Sequence, residues 1–259
     1  MKLNSIANQF NEFIKLNKMQ YTQDQNGIAR RYSREKKTWD DHFNTSKNFI
    51  LESAKTKNKG IVIVLGSGWL FDLPIDDLSN QFKEVVLYDI IHPKQVLHKT
   101  KNYDNVRIEK VDITGGLIDY FYKLAKNKSL IYTRELNTFK LNIPNCDFVI
   151  SLNIMCQLHI ILIDYLKNFN IYSSKQLDII AQEIQRSHIE ILPKNKTCLI
   201  TDYEEEIYNE DDELVGVNPL LKLDLPEKKF IKKWKWKFDT QMTYRDDHKT
   251  FFNTLGIDF

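Results

Sequence analysis

The stretch that decides the fold is residues 61–74, IVIVLGSGWLFDLP. The five apolar residues 61–65 are typical of a strand buried on both faces of a parallel sheet, because helices cover such a sheet above and below. Gly66 and Gly68 follow at once, and Pro74 suits the start of a helix. A strand that runs into Gly-Ser-Gly predicts a turn whose backbone lies open to a ligand.

Similar apolar runs recur along the chain on both sides of this turn. They lie at 85–88, 148–152 and 198–201, with a weaker alternating run at 106–111. Helical patterns stand between them, at 94–101, 117–124 and 158–166 and after a capping Ser173 or Ser174. This alternation predicts an α/β fold with a doubly wound, Rossmann-like and mostly parallel sheet over residues 58–259.

The two ends of the chain have different patterns. In residues 1–57 the apolar side chains Trp39, Phe43 and Ile50 recur at helical spacing, and Asn26-Gly27 marks a turn. We expect two or three helices there, forming an N-terminal cover. Near the other end, KKWKWKF at 232–238 alternates tryptophan and lysine. That pattern predicts a C-terminal antiparallel hairpin closing one edge of the sheet.

Composition excludes several classes of protein. The chain has 259 residues, and its 37 Lys+Arg and 35 Asp+Glu give a net charge of +2, so nothing global favours nucleic acid or an anionic membrane. The sequence has three cysteines without a CxxC and six histidines without an HExxH, so we expect no metal and a reducing, cytoplasmic setting. No apolar run is long enough for a membrane span. The oligomeric state stays open.

Asp89 ends the second predicted strand, where a carboxylate can accept hydrogen bonds from a ribose diol. A dinucleotide fingerprint needs a third glycine where Phe71 stands, and no Gly-Lys-Ser/Thr follows Gly68. A nucleoside without phosphates therefore fits better than NAD. A purely structural interpretation, with the glycines making only a tight turn and Asp89 a solvated strand end, stays open.

The motifs GSGWLFDLP, DIIHP, VDITG and SLNIMCQL together resemble the class I S-adenosylmethionine-dependent methyltransferases. The resemblance implies S-adenosyl-L-methionine as the cofactor. It places the first loop around the methionine part, an acidic residue on the ribose, another on adenine and the fourth strand tip beside the methyl donor. The residues implied are Gly66, Ser67, Gly68, Trp69, Asp89, Ile90, Asp112, Ile113, Leu152 and Asn153. Leu70 stands where the family often has a third glycine.

A second candidate site lies in the N-terminal segment. Arg30, Arg31, Trp39 and His42 would bind an acceptor if their helices fold over the strand tips, since arginine suits planar anions. Gln157 would join them if it shares a helical face with Asn153. Two alternatives stay open: a solvated basic face with Trp39 packed inward, and Asn153 as a helix cap.

The predicted function is methyl transfer to an unidentified small-molecule acceptor, with an anionic acceptor matching the arginines. Asn153 would orient the acceptor, and His42 or a carboxylate near Asp202 would serve as base if one is needed. Alternatives are transfer of the aminocarboxypropyl arm of the same cofactor and a catalytically inactive nucleoside-binding protein. A dehydrogenase ranks below these because of Phe71.

Overall fold

The computed structural model describes residues 2–127, 136–225 and 230–258. The helices are α1 (Lys2–Lys18), α2 (Tyr21–Ala54), α3 (Ile75–Gln81), α4 (Lys94–Lys99), α5 (Leu117–Asn127), α6 (Ile160–Lys167) and α7 (Ser174–Ile191), with a 3-10 turn at Thr100–Asn102. The strands are β1 (Ile61–Leu65), β2 (Glu84–Asp89), β3 (Val106–Lys110), β4 (Phe148–Leu152), β5 (Thr197–Tyr208), β6 (Leu214–Pro219), β7 (Phe230–Asp239) and β8 (Lys249–Asp258).

These strands form one eight-stranded sheet. Its order is β3-β2-β1-β4-β5-β8-β7, and β6 pairs separately with β5. The pairs from β3 to β5 are parallel, whereas β8 is antiparallel to both β5 and β7. The predicted doubly wound sheet with an antiparallel hairpin at one edge is therefore confirmed. Ligands of such sheets bind beyond the carboxyl ends of the strands where the order reverses, which here is between β1 and β4.

Both faces of β1 are buried, as its unbroken apolar sequence predicts. Ile63 and Leu65 belong to one core cluster, and Val62 and Val64 belong to another on the opposite face. Burial of both faces fixes the register of β1, because a slip of one residue would exchange the two sets of side chains. The register in turn places Gly66 directly at the end of the strand.

The N-terminal segment folds as two helices, and the predicted turn at Asn26-Gly27 is wrong. Helix α2 runs without interruption through Gly27, and the chain reverses earlier, at Gln20, whose φ is 69°. A glycine inside a helix costs only about 1 kcal/mol relative to alanine, so tertiary contacts override it. One such contact lies close by, where the backbone carbonyl of Gln25 accepts the indole N–H of Trp69.

An aromatic core joins α2 to β7. Trp39 and Phe43 of the helix pack with Trp236 and Phe238 of the strand, and the indole N–H of Trp39 donates to the Phe238 carbonyl over 2.9 Å. The alternation read in residues 232–238 is confirmed, with aromatic side chains inward and lysines outward. The division into a cover of residues 1–57 and a domain of 58–259 stays a prediction.

Residues next to their N-termini mark where α7 and α3 begin. Ser173 caps α7 in a reciprocal capping box with Gln176, and Pro74 immediately precedes α3. In the described ranges, no helix combines the length and the apolar character that crossing a membrane requires.

Candidate ligand-binding site

A cavity of about 450 Å³ lies beyond the carboxyl ends of β1, β2 and β4. All the residues that the resemblance assigns to the cofactor line it: Gly66, Ser67, Gly68, Trp69, Asp89, Ile90, Asp112, Ile113, Leu152 and Asn153. Of the predicted acceptor residues, Arg31, Trp39 and Gln157 line the cavity. Arg30 and His42 do not.

The glycine turn has the backbone that its sequence predicts. Gly66 has φ 81° and Gly68 has φ 49°, both in the left-handed region that favours glycine. A Cβ on Gly66 would lie 2.8 Å from Cβ of Ile154, whereas one on Gly68 would meet no atom within 4 Å. Close packing therefore requires the first glycine, and open space faces the second.

Leu70 adopts the left-handed conformation without being a glycine. Its φ is 59°, and its side chain is buried in the core. A non-glycine residue in this region costs roughly 1–2 kcal/mol, which the burial of an apolar side chain can offset. The loop thus takes a glycine-like backbone at the position where the family often has its third glycine.

Asp89 stands beside this turn. It is buried and accepts the N–H of Gly68 over 2.8 Å and that of Ile91 over 3.3 Å. Burial raises the pKa of this carboxyl, and the two N–H donors oppose the rise. Each oxygen of a carboxylate can accept two hydrogen bonds, so both keep capacity for a ligand diol. The nearby Ser67 hydroxyl is buried and has no hydrogen-bond partner in the described part of the chain.

Asp112 organises its own loop. One oxygen accepts the Thr114 N–H (2.9 Å) and hydroxyl (2.5 Å), and the other accepts the N–H groups of Gly116 (3.1 Å) and Ile118 (3.3 Å). These four donors use the acceptor capacity of the carboxylate. Asp112 therefore positions the loop that carries Ile113 into the cavity wall, and direct recognition of a ligand by its carboxylate has no support in this geometry.

Asn153 follows β4 in a left-handed conformation, with φ 48°. Its backbone N–H donates to the Ile200 carbonyl, so it extends the sheet by one bond. The next helix, α6, begins only at Ile160, so the capping interpretation is wrong for Asn153. The expectation that Asn153 and Gln157 share a helical face is also wrong, although both line the cavity.

His42 lies behind the cavity wall. It is 1% exposed, stacks on Trp236 with ring centroids 4.1 Å apart, and accepts at Nδ1 the indole N–H of Trp234 over 3.0 Å. Burial lowers its pKa to about 3, so the ring is neutral. The expectation that His42 contacts the acceptor as a general base is wrong, because it is sealed from the cavity.

The neutral His42 ring sets the orientation of Asn153. Since Trp234 only donates, Nδ1 is the acceptor and the ring proton stands on Nε2. The Asn153 amide lies 3.2 Å from Nε2 and 3.3 Å from Oδ2 of Asp72. We assign the amide oxygen to these contacts, because the Nε2–H needs an acceptor. The contact with Asp72 is then favourable when Asp72 is protonated.

The two predicted arginines have different surroundings. The Arg31 guanidinium lies 4.6 Å from the ring centroid of Phe238 and 4.8 Å from that of Tyr244. Its Nε is buried and has no hydrogen-bond partner among the residues that the structure describes. Arg30 is exposed, as a solvated basic face would have it. Of the two interpretations drawn from the sequence, the solvated basic face therefore describes Arg30, and a position at the cavity describes Arg31.

Three carboxyl groups in the cavity wall add charge that the sequence only partly indicated. Asp202 stands at the end of the apolar run of β5, Asp72 lies inside the glycine-loop motif, and Glu205 follows in β5. Arg245 binds Glu205 through two guanidinium contacts of 2.8 and 2.7 Å. Only the fold brings these positions together, so spacing along the chain could not identify the group.

The pKa values of Asp72 and Asp202 are both raised. Burial raises the pKa of Asp72 to about 6. Burial raises the pKa of Asp202 to about 7; Thr254, which donates over 2.5 Å, opposes this, and the charge of Asp72 adds to it. In the described part of the chain, no group of three His, Cys, Asp or Glu side chains is arranged to hold a metal.

Neither a protein-family model nor a curated protein matches this chain. Solved structures resemble it in fold. One is 1,6-didemethyltoxoflavin-N1-methyltransferase from Burkholderia thailandensis with bound S-adenosylhomocysteine, with 9% identity, TM-score 0.41, and coverage of 90% of this chain and 86% of that one. Another is the N-methyltransferase NodS from Bradyrhizobium japonicum with S-adenosyl-L-homocysteine, with 10% identity, TM-score 0.37, and coverage of 83% and 86%. At such identities the similarity concerns the fold alone.

Proposed function

We propose that this protein binds S-adenosyl-L-methionine and transfers its methyl group to a small-molecule acceptor. The observation that carries the proposal is the pairing of a left-handed glycine turn after β1 with a buried carboxylate after β2. Gly68 N–H and Asp89 Oδ2 are 2.8 Å apart at the mouth of one cavity. This is the arrangement in which a nucleoside lies across two neighbouring strand tips.

The surrounding residues fit this cofactor. The open space beside Gly68 admits a chain close to the backbone, and the unpartnered Ser67 hydroxyl offers a polar contact there. Asp89 keeps acceptor capacity for ribose hydroxyls. The apolar side chains of Ile90, Ile113 and Leu152 would flank the base and the sulfur. The sulfonium supplies an already activated methyl group, so the protein mainly aligns the acceptor and excludes water.

A dinucleotide fits less well. Phe71 lines the cavity and packs on Tyr32 with ring centroids 4.3 Å apart, where a pyrophosphate fingerprint needs a glycine. Helix α3 begins only at Ile75, so its free N–H groups do not lie next to the glycine turn. The site therefore lacks the helix N-terminus that usually binds the phosphates.

Helix α2 would form the acceptor side of the site. Arg31 and Trp39 reach the cavity from this helix, and Asn153 and Gln157 approach from the tip of β4. We propose that Asn153 orients the acceptor through its amide, which can both donate and accept. His42 has a positioning role, since it lies behind the wall and contacts Asn153 through its Nε2.

Calorimetry tests the cofactor assignment. S-adenosylmethionine and S-adenosylhomocysteine should bind, and NAD should not. Asp89→Ala should weaken binding by about 1.5–3 kcal/mol, roughly 10- to 150-fold, the range for hydrogen bonds to a charged group. Asp104→Ala, which removes an exposed carboxylate before β3, is the matched control and should bind normally. Tight NAD binding, or no binding of either sulfur nucleoside, would overturn the proposal.

A further inference from the structure

The cavity wall contains charged side chains of both signs without ion-pair partners among the described residues. Asp72 and Asp202 line it, and so does Arg31. Among the described residues, none of these three forms an ion pair within 4.0 Å. Glu205, on the same wall, is already neutralised by Arg245. A ligand with complementary charges would stabilise the uncompensated groups.

The two aspartates form the acidic end. Asp202 is 2% exposed, and its hydrogen-bond partner is the hydroxyl of Thr254. Asp72 faces the Asn153 amide, and its charge acts on Asp202. Two interacting carboxyl groups share a proton readily, which leaves the pair with a single negative charge. One ammonium group would match that charge.

The basic end has donors without acceptors. Among the described residues, Nε of Arg31 and Nε1 of Trp236 are both buried without a hydrogen-bond partner, and both residues line the cavity. The charges of Asp239 and, more weakly, Asp24 act on Arg31 without forming an ion pair with it, and Asp239 is already engaged by the N–H groups of Thr243 and Tyr244, each at 2.7 Å. Guanidinium and indole donors together suit a carboxylate or a similar anion.

Aromatic rings line the same cavity as these charged groups. Trp39 and Phe238 stack with centroids 5.5 Å apart, and both line the cavity with Trp236. Ring faces provide apolar contact for a spacer and attract an ammonium group through their quadrupoles. The wall therefore accommodates a short molecule whose two ends carry opposite charges.

We propose that the acceptor is a small zwitterion whose amino group lies against Asp72 and Asp202 and whose anionic group lies against Arg31. This rests on the proposed methyl transfer and specifies the chemical class of its acceptor. It also assigns the methylated atom, a nitrogen.

The proton balance of the reaction involves the aspartates. The bound ammonium gives one proton to the ionised carboxylate of the pair, which frees the nitrogen lone pair. The nitrogen then forms a bond to the methyl carbon as the carbon–sulfur bond breaks, with that electron pair going to sulfur. The product is a methylated ammonium, and the proton passes from the carboxyl group to water after release.

Binding of matched probes to the protein saturated with S-adenosylhomocysteine tests the inference. The zwitterions are β-alanine, 4-aminobutyrate, 6-aminohexanoate and 4-(aminomethyl)benzoate. The probes 4-methylbenzylamine and 4-methylbenzoate each lack one charge of the last zwitterion. At least one of the zwitterions should bind. If 4-(aminomethyl)benzoate binds, it should bind at least tenfold more tightly than either of its singly charged analogues. If an aliphatic zwitterion binds, the comparison is with its own amine and its own acid.

Charge-removing variants assign the two ends. Asp202→Asn and Asp72→Asn should each remove the advantage conferred by the amino group and leave binding of the acid analogue unchanged. Arg31→Gln should do the reverse. Asp178→Asn, on the exposed face of α7, is the control, and melting temperatures identify any variant that does not fold.

Each negative result has one meaning. If S-adenosylhomocysteine itself does not bind, the proposed function fails. If it binds but no zwitterion does, or if the singly charged analogues bind as tightly, the acceptor class is wrong. Unchanged preferences in both a folded aspartate variant and Arg31→Gln would also overturn the assignment.

Discussion

The hydrogen-bond chain from Trp234 through His42 to Asn153 provides a sharp test of how the site is positioned. Trp234→Phe removes only the indole N–H donor and part of an aromatic surface. His42 Nδ1, which accepted that N–H over 3.0 Å, then has no donor. Either tautomer of the buried ring then leaves Nδ1 unsatisfied, as a bare nitrogen without a donor or as an N–H without an acceptor.

The magnitude follows from the burial of His42. An unsatisfied buried acceptor costs about 1–3 kcal/mol. Moving the proton to Nδ1 would not remove that cost, because it creates a buried N–H without an acceptor and breaks the hydrogen bond from Nε2–H to Asn153. We therefore expect the variant to keep the Nε2–H tautomer of His42 and to lose about 1–3 kcal/mol of stability.

Nitrogen-15 chemical shifts of the His42 ring are the assay. The wild type should show protonated Nε2 and bare Nδ1, neutral from pH 5 to 8 because burial lowers its pKa to about 3. Trp234→Phe should keep this pattern, with the Nδ1 resonance shifted by the loss of its hydrogen bond. Trp236→Phe is the matched control, because the Trp236 indole N–H has no partner among the described residues, so this variant leaves the hydrogen bonds of the His42 ring in place. Protonated Nδ1 in the wild type or in Trp234→Phe, or the same Nδ1 shift in both variants, would refute the reasoning.

Three further predictions follow from the same cavity. Gly66→Ala should lower the free energy of unfolding, measured in urea, by more than Gly68→Ala. Both positions have a positive φ, which costs a non-glycine residue about 1–2 kcal/mol, but only the Cβ at position 66 meets a neighbour, at 2.8 Å. With a zwitterionic acceptor, kcat/KM should rise with pH through about 6 to 7, because one carboxyl of the Asp72 and Asp202 pair must be ionised to take the proton; a flat profile over pH 5–8 would contradict this. The free energy of unfolding should instead fall as the pH rises. The pKa of Asp202 is raised in the folded state, so the contribution of Asp202 to stability is full below the unfolded value near 3.8 and is lost as the pH rises through about 7. Asp202→Asn should therefore be more stable than the wild type at pH 8, by urea unfolding, and lose that advantage at pH 4.

Much of the sheet could be predicted because each buried strand carries its own signal. The apolar run of β1 needs no tertiary information to be recognised, and the capping residue Ser173 marks its helix locally. The prediction of a turn at Asn26-Gly27 was wrong because tertiary contacts outweigh the local signal there. A glycine signals a turn only when nothing else stabilises the helix, and α2 is held by its contacts with β7 and the glycine loop.

In the candidate site too, local signals identify some of the residues and only the fold identifies the others. Gly66, Gly68 and Asp89 were predictable, because strand ends in a parallel sheet meet at one edge and the order of elements identifies those ends. Asp72 and the acidic role of Asp202 depend on burial and on the approach of Thr254 from β8. His42 looked like a base because histidine often is one, but only the fold shows that Trp234 and Trp236 enclose it.

Some exceptions to ordinary structural rules lie in the wall of this cavity, and others lie elsewhere in the described residues. In the wall, Asn153 adopts a positive φ, and donors of Ser67 and Trp236 are buried without acceptors among the described residues. A buried donor without an acceptor costs stability. Natural sequences tend to break local rules where function demands it. A ligand in the cavity that accepts hydrogen bonds from Ser67 and Trp236 would offset the cost of leaving these donors unpaired.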